Sequence, residues 1–232
     1  MKRIVLFALI LGALPLFMNA RLAEAYMAKN TGTSIQVTGG GSGGGIAAAS
    51  RPIKATEVDK LKSRFATTGY ANSIKELTLA QLRDIYTGRV TNWREVGGKD
   101  APIIRYSRES SSGTYTYFKD NVLMGKDYSP RAQTLQGTAA VVNAVANDPN
   151  GIGYGGAAYA KRIKFAAVKE NPESPAYEPT LATIRSGQYP ITRFLYLYTR
   201  TPPTATLKHF NDWTTTPEAQ ALITEVGYFP VK

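Results

Sequence analysis

The 232-residue chain contains no cysteine and a single histidine, His209. The first absence excludes disulfides, thiolate metal sites, a cysteine nucleophile and a lipid-modified N-terminal cysteine. The second argues against a histidine-rich metal centre and a histidine-based catalytic triad, so no metal and no cofactor is expected. Negative charge is also scarce: 17 Asp and Glu stand against 28 Lys and Arg, a net of +11. Such a balance favours an anionic partner without saying which. The basic residues are scattered and no aromatic–basic recognition motif accompanies them, so no nucleic-acid partner is expected. With 43% hydrophobic and 19% charged residues, the composition is that of a folded chain and not of a disordered one.

One long apolar run is present. Lys2 and Arg3 precede Ile4–Phe17, which only Gly12 and Pro15 interrupt. This reads as a secretory signal peptide over residues 1–20, with cleavage after Ala20. The run is short for a membrane span, which needs about 20 apolar residues. No later segment is long and apolar enough to span a bilayer, so an exported, periplasmic protein is expected.

The rest alternates helix and strand patterns. Arg21–Asn30 is helix-like, with Leu22, Ala25 and Tyr26 on one face. Ser34–Thr38 alternates as a strand does, and Glu57–Phe65 continues a helix begun near Thr56. Thr78 and Gln81 form a capping box for a helix through Tyr86 that ends near Gly88. A strand at Ile103–Ser107 precedes a helix at Ser112–Leu123, with Tyr117, Phe118 and Val122 as its core residues. Thr138–Ala146 is a further helix, stopped by Asp148-Pro149-Asn150-Gly151, and Ile152–Tyr154 is a short buried strand. Phe194–Thr199 reads as a strand, and Leu207–Trp213 and Pro217–Val226 as the last helices. Trp93 and Trp213 read as core anchors, most tyrosines as packing residues with a polar tip, and His209 as a helix-surface residue. The alternation predicts an α/β fold with a mainly parallel sheet.

Two glycine–serine segments stand out. Gly39–Gly45 follows a strand pattern and precedes a helix pattern. It fits a loop whose backbone approaches a ligand at a helix N-terminus, with Ser42 adding a hydroxyl. It equally fits a flexible linker. It is neither a nucleotide P-loop nor a dinucleotide fingerprint. Arg108-Glu109-Ser110-Ser111-Ser112-Gly113-Thr114 lies between a strand end and a helix start. Its hydroxyls and backbone amides gather at a positive helix end. Arg108 offers a planar fork that matches two oxygens of a tetrahedral anion. The other reading is a serine-rich helix cap beside a surface arginine. Ser111 and Ser112 are conceivable nucleophiles, but no general base accompanies them, so an enzyme is not expected.

The segments GGGSGGGI, ASRPIK, LTLAQLRDIYTGRVTNW, SRESSSGTYTYF, GIGYGG and EVGYFPV occur in order along the chain. Together they resemble the phosphate-binding-protein family of bacterial phosphate ABC transporters. The resemblance implies a two-lobed α/β architecture of the type II periplasmic-binding-protein kind, with one inorganic phosphate held between the lobes and delivered to a membrane permease. Ser42, Gly43, Ser50, Arg108, Ser112, Gly113 and Thr114 would bind it, with Arg108 as the cationic clamp. The lobes would comprise residues 21–76 with 195–232, and 77–194, in a monomer. The first lobe is expected to be incomplete: the family's opening strand, part of the stretch between Ile46 and Ser50, and an Asp-Gly-containing crossover strand after Tyr70 have no counterpart. A relative that has lost phosphate binding or holds another oxyanion is the alternative. Phosphate, unlike sulfate, carries a proton that needs an acceptor. Where one family layout has an Asp after the serine, this chain has Arg51. Glu109 is the nearest remaining acceptor, unless its side chain simply faces solvent.

Overall fold

The computed structural model describes residues 4–6, 16–35, 74–156, 163–192, 205–225 and 228–230. The chain divides into two compact units, Met1–Gly43 with Arg193–Lys232, and Gly44–Thr192. All strand ladders among the described residues are parallel.

Parallel neighbours need a crossover, and helices supply it. In the first unit β1 (Ile4–Leu6) pairs with β2 (Thr33–Ile35), and α1 (Leu16–Lys29) connects them. Two C-terminal helices, designated α6 (Ala205–Thr214) and α7 (Pro217–Glu225), complete the unit. Leu22, Ala23 and Tyr26 of α1 are buried with Ile35, Phe210 and Ala219. Burial thus selects Ala23, whereas the sequence pattern favours Ala25, which is half-buried. The Tyr26 ring packs edge-on to Phe210 and Trp213, with centroids 5.1 and 5.3 Å apart. Its hydroxyl lies 2.6 Å from Nδ1 of the exposed His209. Lys29–Glu218 and Arg21–Glu225 ion pairs link α1 to α7 at the surface.

The helix predicted from Arg21 begins five residues earlier, and β1 lies within the segment read as a leader. The Ile-Val-Leu trio that makes a leader apolar also suits a strand. Of the other predicted elements, 194–199 and 57–65 lie outside the described residues.

Among its described residues the second unit holds two parallel sheets. β3 (Glu76–Thr78) pairs with β7 (Ala167–Lys169), and β4 (Ile104–Arg108) lies between β5 (Gln133–Leu135) and β6 (Gly151–Gly153). α2 (Leu79–Thr87) starts and stops where the sequence says it should. The Thr78 hydroxyl accepts from Gln81 N–H at 3.0 Å, and the Gln81 side chain accepts from Thr78 N–H at 2.9 Å. Gly88 ends the helix at φ 85°, a left-handed conformation that glycine adopts without a Cβ penalty. α3 (Gly113–Asn121) and α4 (Thr138–Asn147) flank the three-stranded sheet in sequence, and α5 (Leu181–Arg185) is a short helix. Leu77, Leu82, Ile85, Tyr86, Trp93, Ile103, Phe118, Val122, Leu123 and Val168 form the core. Tyr117, expected in that core, is only partly buried, and its hydroxyl donates to Thr192 O at 2.8 Å.

Candidate anion site

Parallel sheets bind ligands beyond the carboxyl ends of their strands, where the following helices begin. In the second unit Arg108, the last residue of β4, pairs in register with Leu135, the last of β5. Each strand is followed by a helix N-terminus: α3 starts after Ser112 and α4 after Gly137. Both positive helix ends therefore lie at one sheet edge.

The two ends are finished differently. At α3, Ser112 is the N-cap; it is 2% exposed, and its hydroxyl oxygen accepts from Thr114 N–H at 3.2 Å. At α4 the N-cap is Gly137, at φ 78°, with no side chain to cap the helix. Glu109 holds this helix start from outside it: its Oε2 accepts from the N–H of Gly137 itself at 3.2 Å.

Arg108 is 2% exposed; it contacts the start of α4 through Thr138, and the cap of α3 follows it four residues later. Its Nε and Nη2 donate to the two carboxylate oxygens of Glu109, at 3.0 and 2.9 Å. Its Nη1 donates to the Thr138 hydroxyl at 2.7 Å. A guanidinium has five N–H donors. Two of Arg108's, one on each terminal nitrogen, have no acceptor among the described residues. The same is true of Gly113 N–H and of the hydroxyl protons of Ser112 and Thr114. Guanidinium, hydroxyl and helix-start amide protons are the donors that the oxygens of a small oxyanion accept from.

Glu109 is not solvent-facing; its side chain is 15% exposed. Burial pushes its carboxyl pKa up, but hydrogen bonds from Arg108 and from backbone N–H groups, Gly137's among them, outweigh this and hold it below the usual carboxylate range.

A chain of hydroxyls fixes the strand end beneath Arg108. Tyr128 donates its one phenolic proton to Tyr115 O at 3.1 Å. Tyr154 must then donate to Tyr128, at 2.8 Å, and Ser107 to Tyr154, at 2.9 Å. Arg108 N–H reaches the same Tyr154 oxygen at 3.4 Å. Burial raises the Tyr128 and Tyr154 phenols, so both stay protonated donors. The Tyr154 ring stacks on Phe118 with centroids 4.0 Å apart.

The structure thus brings Arg108, Ser112, Gly113 and Thr114 to one place. Ser42, Gly43 and Ser50, and with them the glycine-rich loop, lie outside the described residues. The sequence reading missed Thr138, Gly137 and the Tyr154 hydroxyl. The helix start at Thr138 was legible, but its closeness to Arg108 follows from the β4–β5 register, which no local pattern carries.

A family model described as a PBP superfamily domain matches residues 15–218. The chain belongs to this superfamily of binding proteins, whose α/β fold it shares. The phosphate-binding protein PstS of Bacillus subtilis (strain 168) is 29% identical over 230 residues, covering 90% of this chain and 75% of that protein. PstS of Staphylococcus epidermidis is 32% identical over 173 residues, which is 66% of this chain; the chain spans about half (52%) of that relative's length. A solved structure from Clostridium perfringens, of a substrate-binding protein assigned to phosphate ABC transport and with phosphate bound, superposes with a TM-score of 0.70 at 30% identity. The match covers 93% of this chain and 94% of that one. Within the superfamily, the chain is a member of the PstS phosphate-binding-protein family.

Proposed function

We propose that the chain is an exported solute-binding protein that captures inorganic phosphate and hands it to the membrane permease of an ABC transporter. It acts as a monomer and catalyses nothing. The lobes are residues 21–76 with 195–232, and 77–194, and phosphate sits in the cleft between them. Arg108 is the cationic clamp. Ser112, Gly113 and Thr114 complete the half of the site on the second lobe, and Ser42, Gly43 and Ser50 supply the half on the first.

One observation carries this reading: a buried arginine, two of whose N–H donors have no acceptor among the described residues, at the end of a strand followed by the start of α3 and in contact with the start of α4. A cation and two helix ends place an excess of positive charge where one carboxylate is the counterweight. A small anion balances it. Glu109, held in its ionised form, is suited to accept a hydrogen bond from the protonated oxygen that phosphate has and sulfate lacks.

Thermal melting of the anion-stripped chain tests the reading. Phosphate at a hundredfold excess over Kd adds about 2.7 kcal/mol to the folded state. The melt is expected to rise with phosphate and not with equal sulfate, and Arg108→Ala should abolish the rise. A cooperative melt indifferent to phosphate would retire the function while leaving the fold.

A further inference from the structure

Arg108 can clamp an anion only if its fork points one way, and a buried arginine still has several rotatable bonds to be fixed. Glu109 holds one side of the guanidinium through Nε and Nη2. The opposite terminal nitrogen, Nη1, is held by the Thr138 hydroxyl at 2.7 Å. Thr138 is itself constrained. It is the first residue of α4, and Gly155, just beyond β6, packs against it so closely that a Cβ at position 155 would collide with the Thr138 methyl. With the methyl fixed, χ1 is fixed, and the hydroxyl oxygen faces Arg108.

We propose that Thr138 is a positioning residue for anion binding, which acts through Arg108: its hydroxyl sets the plane of the guanidinium so that one N–H of each terminal nitrogen faces the ligand. This rests on the reading of Arg108 as the phosphate clamp. Gly155 belongs to the same device, because any side chain there displaces the Thr138 methyl. The helix start itself needs no threonine, since Gly137 is the N-cap.

Isothermal titration of the full chain with inorganic phosphate tests the proposal. Thr138→Val keeps the shape and the methyl contact but removes the acceptor; it should weaken phosphate three- to tenfold. Thr138→Ser, which keeps the hydroxyl, should stay within about twofold of the parent. Gly155→Ala should weaken phosphate as Thr138→Val does. In an Arg108→Lys background, which has no fork to orient, Thr138→Val should add nothing, as expected for two residues acting through one contact. Should Thr138→Val unfold the chain, Thr138→Ala replaces it in each comparison. Parent-like affinity in the hydroxyl-free variants, beside a clear loss in Arg108→Ala, would overturn the positioning role alone. So would equal losses in the valine and serine variants, or an undiminished effect of Thr138→Val in the Arg108→Lys background. Parent-like affinity in Arg108→Ala would overturn the clamp and this proposal with it.

Discussion

Two arginines on β4, three residues apart, are both buried: Arg105 is 4% exposed and Arg108 2%. Each commits three of its five donors. Arg105 donates from Nε to Ile85 O at 2.5 Å, from Nη2 to Val90 O at 2.5 Å and from Nη1 to Ile103 O at 3.3 Å. Ile85 lies in the last turn of α2, the negative end of a helix. Arg105 thus balances main-chain carbonyls, pairs with no carboxylate among the described residues, and has its pKa pulled down by burial. Arg108 faces the opposite situation, beside the positive ends of two helices with one carboxylate for company. Burial of a cation does not mark a binding site. The sign of the potential around it does: Arg105 completes its surroundings, and Arg108 leaves a demand for more negative charge.

The sharpest test exchanges the two effects. Arg105→Ala strands carbonyls of α2 and the following turn, and should cost about 3 kcal/mol of stability in denaturant unfolding. The phosphate-induced rise in the melt should survive. Arg108→Ala should instead lose at least about a hundredfold in phosphate affinity by calorimetry, or some 2.7 kcal/mol. If both variants lost affinity equally, the distinction between them would fall.

A second test concerns Glu109. Glu109→Gln removes the charged partner of Arg108 and should cost about 2 kcal/mol at pH 7. The effect has a definite pH signature. The folded carboxyl lies below its ordinary value of 4.5. Its contribution is therefore complete above pH 4.5 and fades as pH falls through the folded value. The stability curves of parent and Glu109→Gln should converge on acidification below pH 4.5. A gap that stays constant there would mean that the pair contributes through shape and not through charge.

The smallest effect compares the cap of α3 with the hydroxyl chain at the end of β4. Ser112→Ala removes the cap of α3 and should cost about 1 kcal/mol. Its loss of a hydroxyl donor should also weaken phosphate several-fold. Tyr154→Phe breaks the hydroxyl chain and leaves Ser107 without its phenol partner. It should lower stability by a similar amount while moving phosphate affinity less than Ser112→Ala does.

What the sequence disclosed follows the range of the interactions. The Thr78–Gln81 box, the stop at Gly88 and the cap at Ser112 each lie within a few residues, and each is found where the pattern puts it. Arg108 stood out because serines, a glycine and a threonine follow it within six residues. Arg105 gave no signal, since its acceptors Ile85 and Val90 are fixed by packing 20 and 15 residues away. The sequence left Glu109 open between a site acceptor and a solvent-facing acid, because its second partner, Gly137, lies 28 residues on. Thr138 was equally silent: the register of β4 against β5 decides its neighbour.

The continuity of α1 across the Ala20–Arg21 junction has a consequence in time as well as space. An endopeptidase needs its substrate extended, and a bond inside a helix packed through Leu22 and Tyr26 is not offered in that form. Removal of the leader expected over residues 1–20 would therefore have to precede the folding of the first unit. It would leave α1 only from Arg21 onward and β2 without its β1 partner, whereas the folded first unit shields the junction.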